Sequence, residues 1–285
     1  MRSALLLIAG FFIVISAHGA GMSDGAYVGA MAAMHANDTP APSPVAEIKP
    51  AQPVQGREVA YATVNGKPVH GYLARPANAK GSLPGIIVIH EWWGLNDNIR
   101  HMADRLAGEG YVALAVDLYG GKAATTPADA ETLMKSVFAD TAAADTNLQQ
   151  AYAYLHDKAN TSRIGVIGWC FGGGWSLQTA LMLPDRIAAT VMYYGRPVDD
   201  VAALSKLKMP LIGFFGEEDH GITVKDVQTF QQALKQAGVK AEIHEYPHAG
   251  HAFANPSGKN YQADAAQDAW RRTVAFFARY LKGGA

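Results

Sequence analysis

Short apolar runs alternate with amphipathic stretches over most of this chain. Pro84-Gly-Ile-Ile-Val-Ile89 is continuously apolar and ends on His90-Glu91-Trp92-Trp93-Gly94. Unbroken runs of this kind suit strands buried on both faces of a parallel sheet. Tyr111 to Val116, Arg163 to Gly168, Ile187 to Tyr194, Pro210 to Phe215 and Lys240 to Tyr246 read as further strands. Between them, helical spacing covers Asp97 to Glu109, two pieces of Pro127 to Lys158 broken around 139–142, a stretch running to Leu183, Val224 to Ala237, and Ala263 to Leu281. Gly110 and Gly238 stand where helix C-caps call for a residue that tolerates the left-handed conformation. Upstream, Val59 to Val64 and Val69 to Leu73 flank Asn65-Gly66, the strongest short hairpin signal. Strands alternating with helices predict an α/β protein: a mostly parallel, doubly wound sheet with helices on both faces and an N-terminal antiparallel hairpin.

Three regions follow. Residues 1–20 carry Arg2, an apolar run from Ala4 to Ile15 and the small-residue zone Ser16 to Ala20, the pattern of a secretory signal peptide cut after Gly19 or Ala20. The run is short for a membrane span, so an exported, periplasmic protein free of the membrane after cleavage is expected. Residues 21–55 contain Pro40, Pro42, Pro44, Pro50 and Pro53 without periodicity and read as a flexible linker. Residues 56–285 form the domain. Lys and Arg number 24 against 25 Asp and Glu, a net charge of −1 with no cluster of either sign, which argues against a nucleic-acid partner. The chain has one cysteine. An exported chain usually pairs its thiols, so a lone Cys is either buried packing or kept free for chemistry.

That cysteine lies in Gly168-Trp169-Cys170-Phe171-Gly172, where a predicted strand turns into a predicted helix. The spacing resembles the nucleophile elbow of α/β-hydrolases with cysteine in place of serine. A glycine-rich turn with a buried, inert Cys is the plainer reading of the motif alone. Covalent hydrolysis also needs an imidazole and an orienting carboxylate. Asp219 and His251 each follow their own predicted strand, and the chain order nucleophile, acid, base fits that fold. His248 competes as base and Glu217 or Glu218 as acid. His90, His220 and His251 lack the spacing of a metal site, and no metal or cofactor is expected.

Five motifs in order, Ile89-His90-Glu91-Trp92-Trp93-Gly94-Leu95-Asn96, Asp117-Leu118-Tyr119, Gly168 to Gly173, Gly216-Glu217-Glu218-Asp219 and Gly250-His251-Ala252-Phe253, resemble the dienelactone hydrolase family from about Arg57 to Leu281. The resemblance implies an α/β-hydrolase fold, Cys170 as nucleophile, His251 as base, Asp219 as acid, and Glu91 as the carboxylate that helps generate the thiolate. It also implies the backbone N–H groups of Trp92 and Phe171 as oxyanion donors. Trp93, Lys122 and Asn255 are candidate pocket residues. Members of the family that open dienelactones grip the substrate carboxylate with two arginines; here the matching places read Gly120-Gly121-Lys122 and Ala254-Asn255. The expected activity is therefore cleavage of a small ester or lactone through a thioester, the substrate left open. A thioesterase or acyltransferase with the same triad, or a binding or stress-response protein on the scaffold, are the alternatives.

Overall fold

The computed structural model describes residues 22–40 and 48–283; the signal peptide expected at 1–20 lies outside them. The hairpin forms where Asn-Gly places it: β1 (Val54–Val64) pairs antiparallel with β2 (Lys67–Pro76), and Asn65 and Gly66 both take positive φ at the turn. The apolar runs become β3 (Leu83–Ile89), β4 (Val112–Val116), β5 (Thr161–Trp169), β6 (Ile187–Tyr193), β7 (Leu211–Gly216) and β8 (Ala241–Tyr246). They assemble into one eight-stranded sheet in the order β1-β2-β4-β3-β5-β6-β7-β8. β2 pairs antiparallel with β4, and every later pairing is parallel. Residues 86–89 and 112–116 are almost fully buried, as continuous apolar runs covered on both faces must be.

Helices α2 (Asp97–Gly108), α3 (Pro127–Ala139), α4 (Thr141–Ala153), α5 (Phe171–Met182), α6 (Val201–Leu204) and α7 (Val224–Gln236) connect the strands, and α8 (Ala263–Leu281) follows the last of them. The side chain of Asp140 caps α4 by accepting from the Ala143 N–H, which places the break between α3 and α4 inside the expected 139–142 interval. The four-residue α6 carries too few positions for any periodicity and was not legible in the sequence.

The linker reading needs correction. Residues 24–34 form a helix, α1 (Asp24–Met34), with Ser23 as N-cap, and strand order begins at Val54. Tyr27, Val28 and Met31 are buried in the main core, not displayed on a tether. Arg196 fixes the helix to the domain, bonding Asp24 at 2.7 Å and lying over the Tyr27 ring. The helix is Gly- and Ala-rich on every side, so it shows no polar face to contrast with the three large apolar residues it buries. Burying those three contributes roughly 1.5–3 kcal/mol each, enough to hold a short helix with weak intrinsic propensity.

The turn from β5 into α5 is the tightest place in the fold. A methyl group on Gly168 would run into the backbone of Gly172, and one on Gly172 into the carbonyls of Ile89 and His90. We therefore expect Gly168→Ala and Gly172→Ala each to destabilise the protein by about 3 kcal/mol or more, whereas Gly174→Ala, with no atom nearer than 3.5 Å, costs little. Urea-unfolding midpoints of the three variants measure this; equal midpoints would contradict it.

Candidate active site

Glu91, Cys170, Asp219 and His251 all follow the carboxyl ends of strands, where open α/β sheets place their ligands. At the end of β5, Cys170 has φ 53° and ψ −119°, left-handed backbone that a residue with a Cβ adopts only under constraint. The constraint comes from both sides: the Cys170 N–H donates to the Tyr193 carbonyl at 3.0 Å, and the flanking glycines press strand against helix. Cys170 is the N-cap of α5, so its sulfur stands beside the positive end of that helix. The N–H of Phe171 lies in the first turn of α5, where no helical carbonyl can accept it.

The end of β7 delivers Asp219 and the loop after β8 delivers His251. Nδ1 of His251 and Oδ2 of Asp219 are 2.6 Å apart, and both side chains are fully buried. The other oxygen of Asp219 accepts the N–H groups of Gly221 at 2.8 Å and Ile222 at 2.9 Å, which fixes the carboxylate and leaves it to orient one imidazole. Nε2 of His251 has no hydrogen-bond partner. The rival candidates fall away on position: His248 is exposed and pairs with Glu218 at 3.2 Å, and Glu217 is exposed. His90 is buried as a structural residue, facing the Glu91 carbonyl at 2.6 Å through Nδ1 and accepting the Leu118 N–H at 3.2 Å.

Glu91, at the end of β3, is buried and is held by the Tyr194 hydroxyl at 3.3 Å and the side-chain amide of Asn255. Asn255 thus serves Glu91 instead of presenting a free face to a substrate. Trp92 and Trp93 are both buried and meet edge to face at 4.9 Å. Trp93 hydrogen-bonds Ala124 through its carbonyl, and that chain segment carries Lys122 to the exposed surface. Lys122 is therefore not gathered with Cys170, Asp219 and His251.

Sequence reasoning missed what α1 brings. Met31 places its sulfur 3.7 Å from Sγ of Cys170, and Cys170 is 1% exposed beneath it. Just past the helix, His35 is 3% exposed, lies 4.6 Å from the Trp92 ring and 5.4 Å from the His251 ring, and faces Asp38 at 2.7 Å. One nitrogen from each of His35 and His251 and the sulfur of Cys170 lie within 4.8 Å of one another. These are donors that a soft metal ion accepts, and equally the atoms needed to move a proton on and off sulfur. Clefts flank α1 on two sides, one lined by Tyr27, Phe171, Trp175 and Arg196, the other by Met34, His251 and Lys259; neither is lined by Cys170.

Electrostatics follow this crowding. Burial pushes the Cys170 thiol up, but His251 first and then His35, standing beside the sulfur, outweigh it and bring the group down to about 6. Burial lowers His251, yet Asp219 and Cys170 hold it well above its ordinary value. Burial would raise Asp219, and His251 with two backbone donors holds it low. Glu91 is pushed up to about 8, first by burial and then by the Cys170 charge, so it carries a proton near pH 7.

The model of the dienelactone hydrolase family matches residues 69–281. "Protein usf" of Aquifex pyrophilus is 38% identical over 224 residues, covering 76% of this chain and 96% of that protein. An Escherichia coli K12 protein named "Putative carboxymethylenebutenolidase" is 32% identical, covering 85% and 94%. The crystal structure of a Klebsiella pneumoniae protein described as a "Putative Dienelactone Hydrolase" superposes with a TM-score of 0.73 at 31% identity, covering 80% of this chain and 100% of that one.

Glu91 keeps its proton to about pH 8 in the folded protein and releases it near its ordinary value of 4.5 when unfolded. Between those values the folded state holds more protons, so this residue's contribution to stability is present at low pH and is lost as pH rises through 8. Glu91→Gln should therefore show a shallower fall in Tm from about pH 5 to about pH 8.5 than the wild type. Parallel Tm profiles would contradict a buried, neutral Glu91.

Proposed function

Because this chain belongs to the dienelactone hydrolase family, we propose that its hydrolase activity is cleavage of a carboxylic ester or lactone with Cys170 as nucleophile, His251 as base and Asp219 as the orienting acid. The observation that carries this reading is one geometry. A buried cysteine is held in left-handed backbone at a strand-to-helix turn, beside an imidazole whose far nitrogen is fixed at 2.6 Å by a carboxylate. A cysteine serving only as packing needs neither the backbone strain nor the dyad.

The reaction proceeds in two halves. The thiolate attacks the carbonyl carbon, the C–S bond forms, and the carbonyl electron pair moves to oxygen, toward the N–H groups of Phe171 and Trp92. Collapse expels the alkoxide, which takes a proton from the imidazolium. A water then gives a proton to His251 and attacks the thioester carbon; the C–S bond breaks and the sulfur leaves as thiolate. Glu91, neutral near pH 7, leaves the sulfur as the negative group in the centre of the site.

We place the substrate among neutral esters and lactones. Lys122 is at the surface and Asn255 is committed to Glu91, so no fixed cation awaits a substrate carboxylate at those two positions. Cys170→Ala should lower kcat/KM for a neutral aryl ester by about a thousandfold or more while the unfolding midpoint stays near wild type. In the wild type, kcat/KM should fall as pH drops through about 6, where the thiolate takes up its proton. Full activity in Cys170→Ala would overturn the mechanism.

A further inference from the structure

Two imidazoles, each braced by its own carboxylate, converge on one sulfur. Taking Cys170 as the nucleophile, as in the reading above, we infer that His35, braced by Asp38, is a second acid–base residue of this active site, which takes the thiol's proton and faces the resulting thiolate as a counter-ion supplied by the amino-terminal segment.

The geometry repeats that of the first dyad. His35 Nδ1 lies 2.7 Å from Asp38 Oδ2, as His251 Nδ1 lies 2.6 Å from Asp219 Oδ2. In both rings the remaining nitrogen is buried without a hydrogen-bond partner. Such a nitrogen costs about 1–3 kcal/mol unless it meets a group that it can serve. One nitrogen of each ring lies within 4.8 Å of the Cys170 sulfur. The ring of His35 packs against Trp92, and Lys259 forms an ion pair with the second oxygen of Asp38 at 2.9 Å, so imidazole and carboxylate are both anchored to the domain although they arrive from outside it. None of this is needed to pack a surface segment, for which an apolar residue at position 35 would serve at no polar cost.

The step is a proton transfer. The S–H bond breaks with its electron pair left on sulfur, an N–H bond forms on the imidazole, and nothing is oxidised or reduced. The charged and titratable groups facing His35 are Asp38, with Lys259 behind it, Cys170, Glu91 and His251, which has Asp219 behind it. Two cationic imidazoles repel each other; a carboxylate behind each and the thiolate between them offset that repulsion. Burial lowers His35, but the Asp38 hydrogen bond and Cys170 more than reverse it, so the group sits above its ordinary value. With a positive charge on two sides, the sulfur stays ionised to lower pH than one histidine alone would allow.

The test follows the ultraviolet absorbance of the thiolate against pH in wild type, His35→Gln, Asp38→Asn and Cys170→Ala, with kcat/KM profiles beside it. In His35→Gln both the thiolate titration and the acid limb of kcat/KM should move up by about one pH unit, a tenfold loss of thiolate on the acid side. The plateau above the limb should change less. Asp38→Asn keeps the ring in place and should move both in the same direction by a smaller amount, which decides the matter if His35→Gln fails to fold. A uniform loss of rate with an unmoved titration would overturn the inference and leave His35 a packing residue, as would no change at all. Cys170→Ala separates the two readings. If it is inactive and lacks the titration while the titration stays unmoved in His35→Gln and Asp38→Asn, only the role of His35 fails. If it stays fully active, the nucleophile reading fails, whatever His35 does to the thiolate.

Discussion

The rest of this site depends on the close approach of β5, α5 and the carbonyl ends of β3 and β6 at one turn. Without side chains at Gly168 and Gly172, backbone meets backbone there, and Cys170 is forced into positive φ between them. That strain turns the side chain out of the sheet toward the strand ends, where β3 brings Glu91, β7 brings Asp219 and the loop after β8 brings His251. Positive φ recurs at Tyr194 and Ala252, both within the same neighbourhood, one bonding Glu91 and the other following His251. A core as extensive as this one over-determines those conformations and sustains them.

A second consequence is electrostatic. The sulfur is buried, which by itself opposes ionisation, yet it lies among imidazoles and beside a helix N-terminus. Glu91 yields to the same burial and keeps its proton. Cys170 is thus drawn down by its neighbours, whereas Glu91 is pushed up first by burial and then by the Cys170 charge, an arrangement that assigns distinct protonation states within one pocket.

Much of this was legible in the sequence, for identifiable reasons. The parallel strands announced themselves because burial on both faces demands unbroken apolar runs, and each run ended on the residues of the site. Asn65-Gly66 fixed the hairpin because few other pairs accept positive φ twice. Cys170, Asp219 and His251 came together because chain order and strand-end position are both topological facts. Other features were not legible. The buried face of α1 consists of Tyr27, Val28 and Met31 among glycines and alanines, and the prolines that follow it give its surroundings the composition of a tether. His35 and Asp38 belong to a segment whose place is set by tertiary contacts, among them those with Arg196, Trp92 and Lys259. Asn255 read as a pocket residue because position along the chain does not say that its amide turns toward Glu91. What a local pattern cannot show is which distant surface a segment folds back upon.

In the reaction proposed above, the Cys170 sulfur becomes acylated during turnover. Intact-protein mass spectrometry on samples quenched while a slowly hydrolysed aryl ester is being consumed tests it directly. The expected result is a transient mass gain equal to the acyl group, released by hydroxylamine and mapping to the peptide that contains Cys170. Turnover with no covalent adduct, or with the acyl group on any other residue, would contradict it.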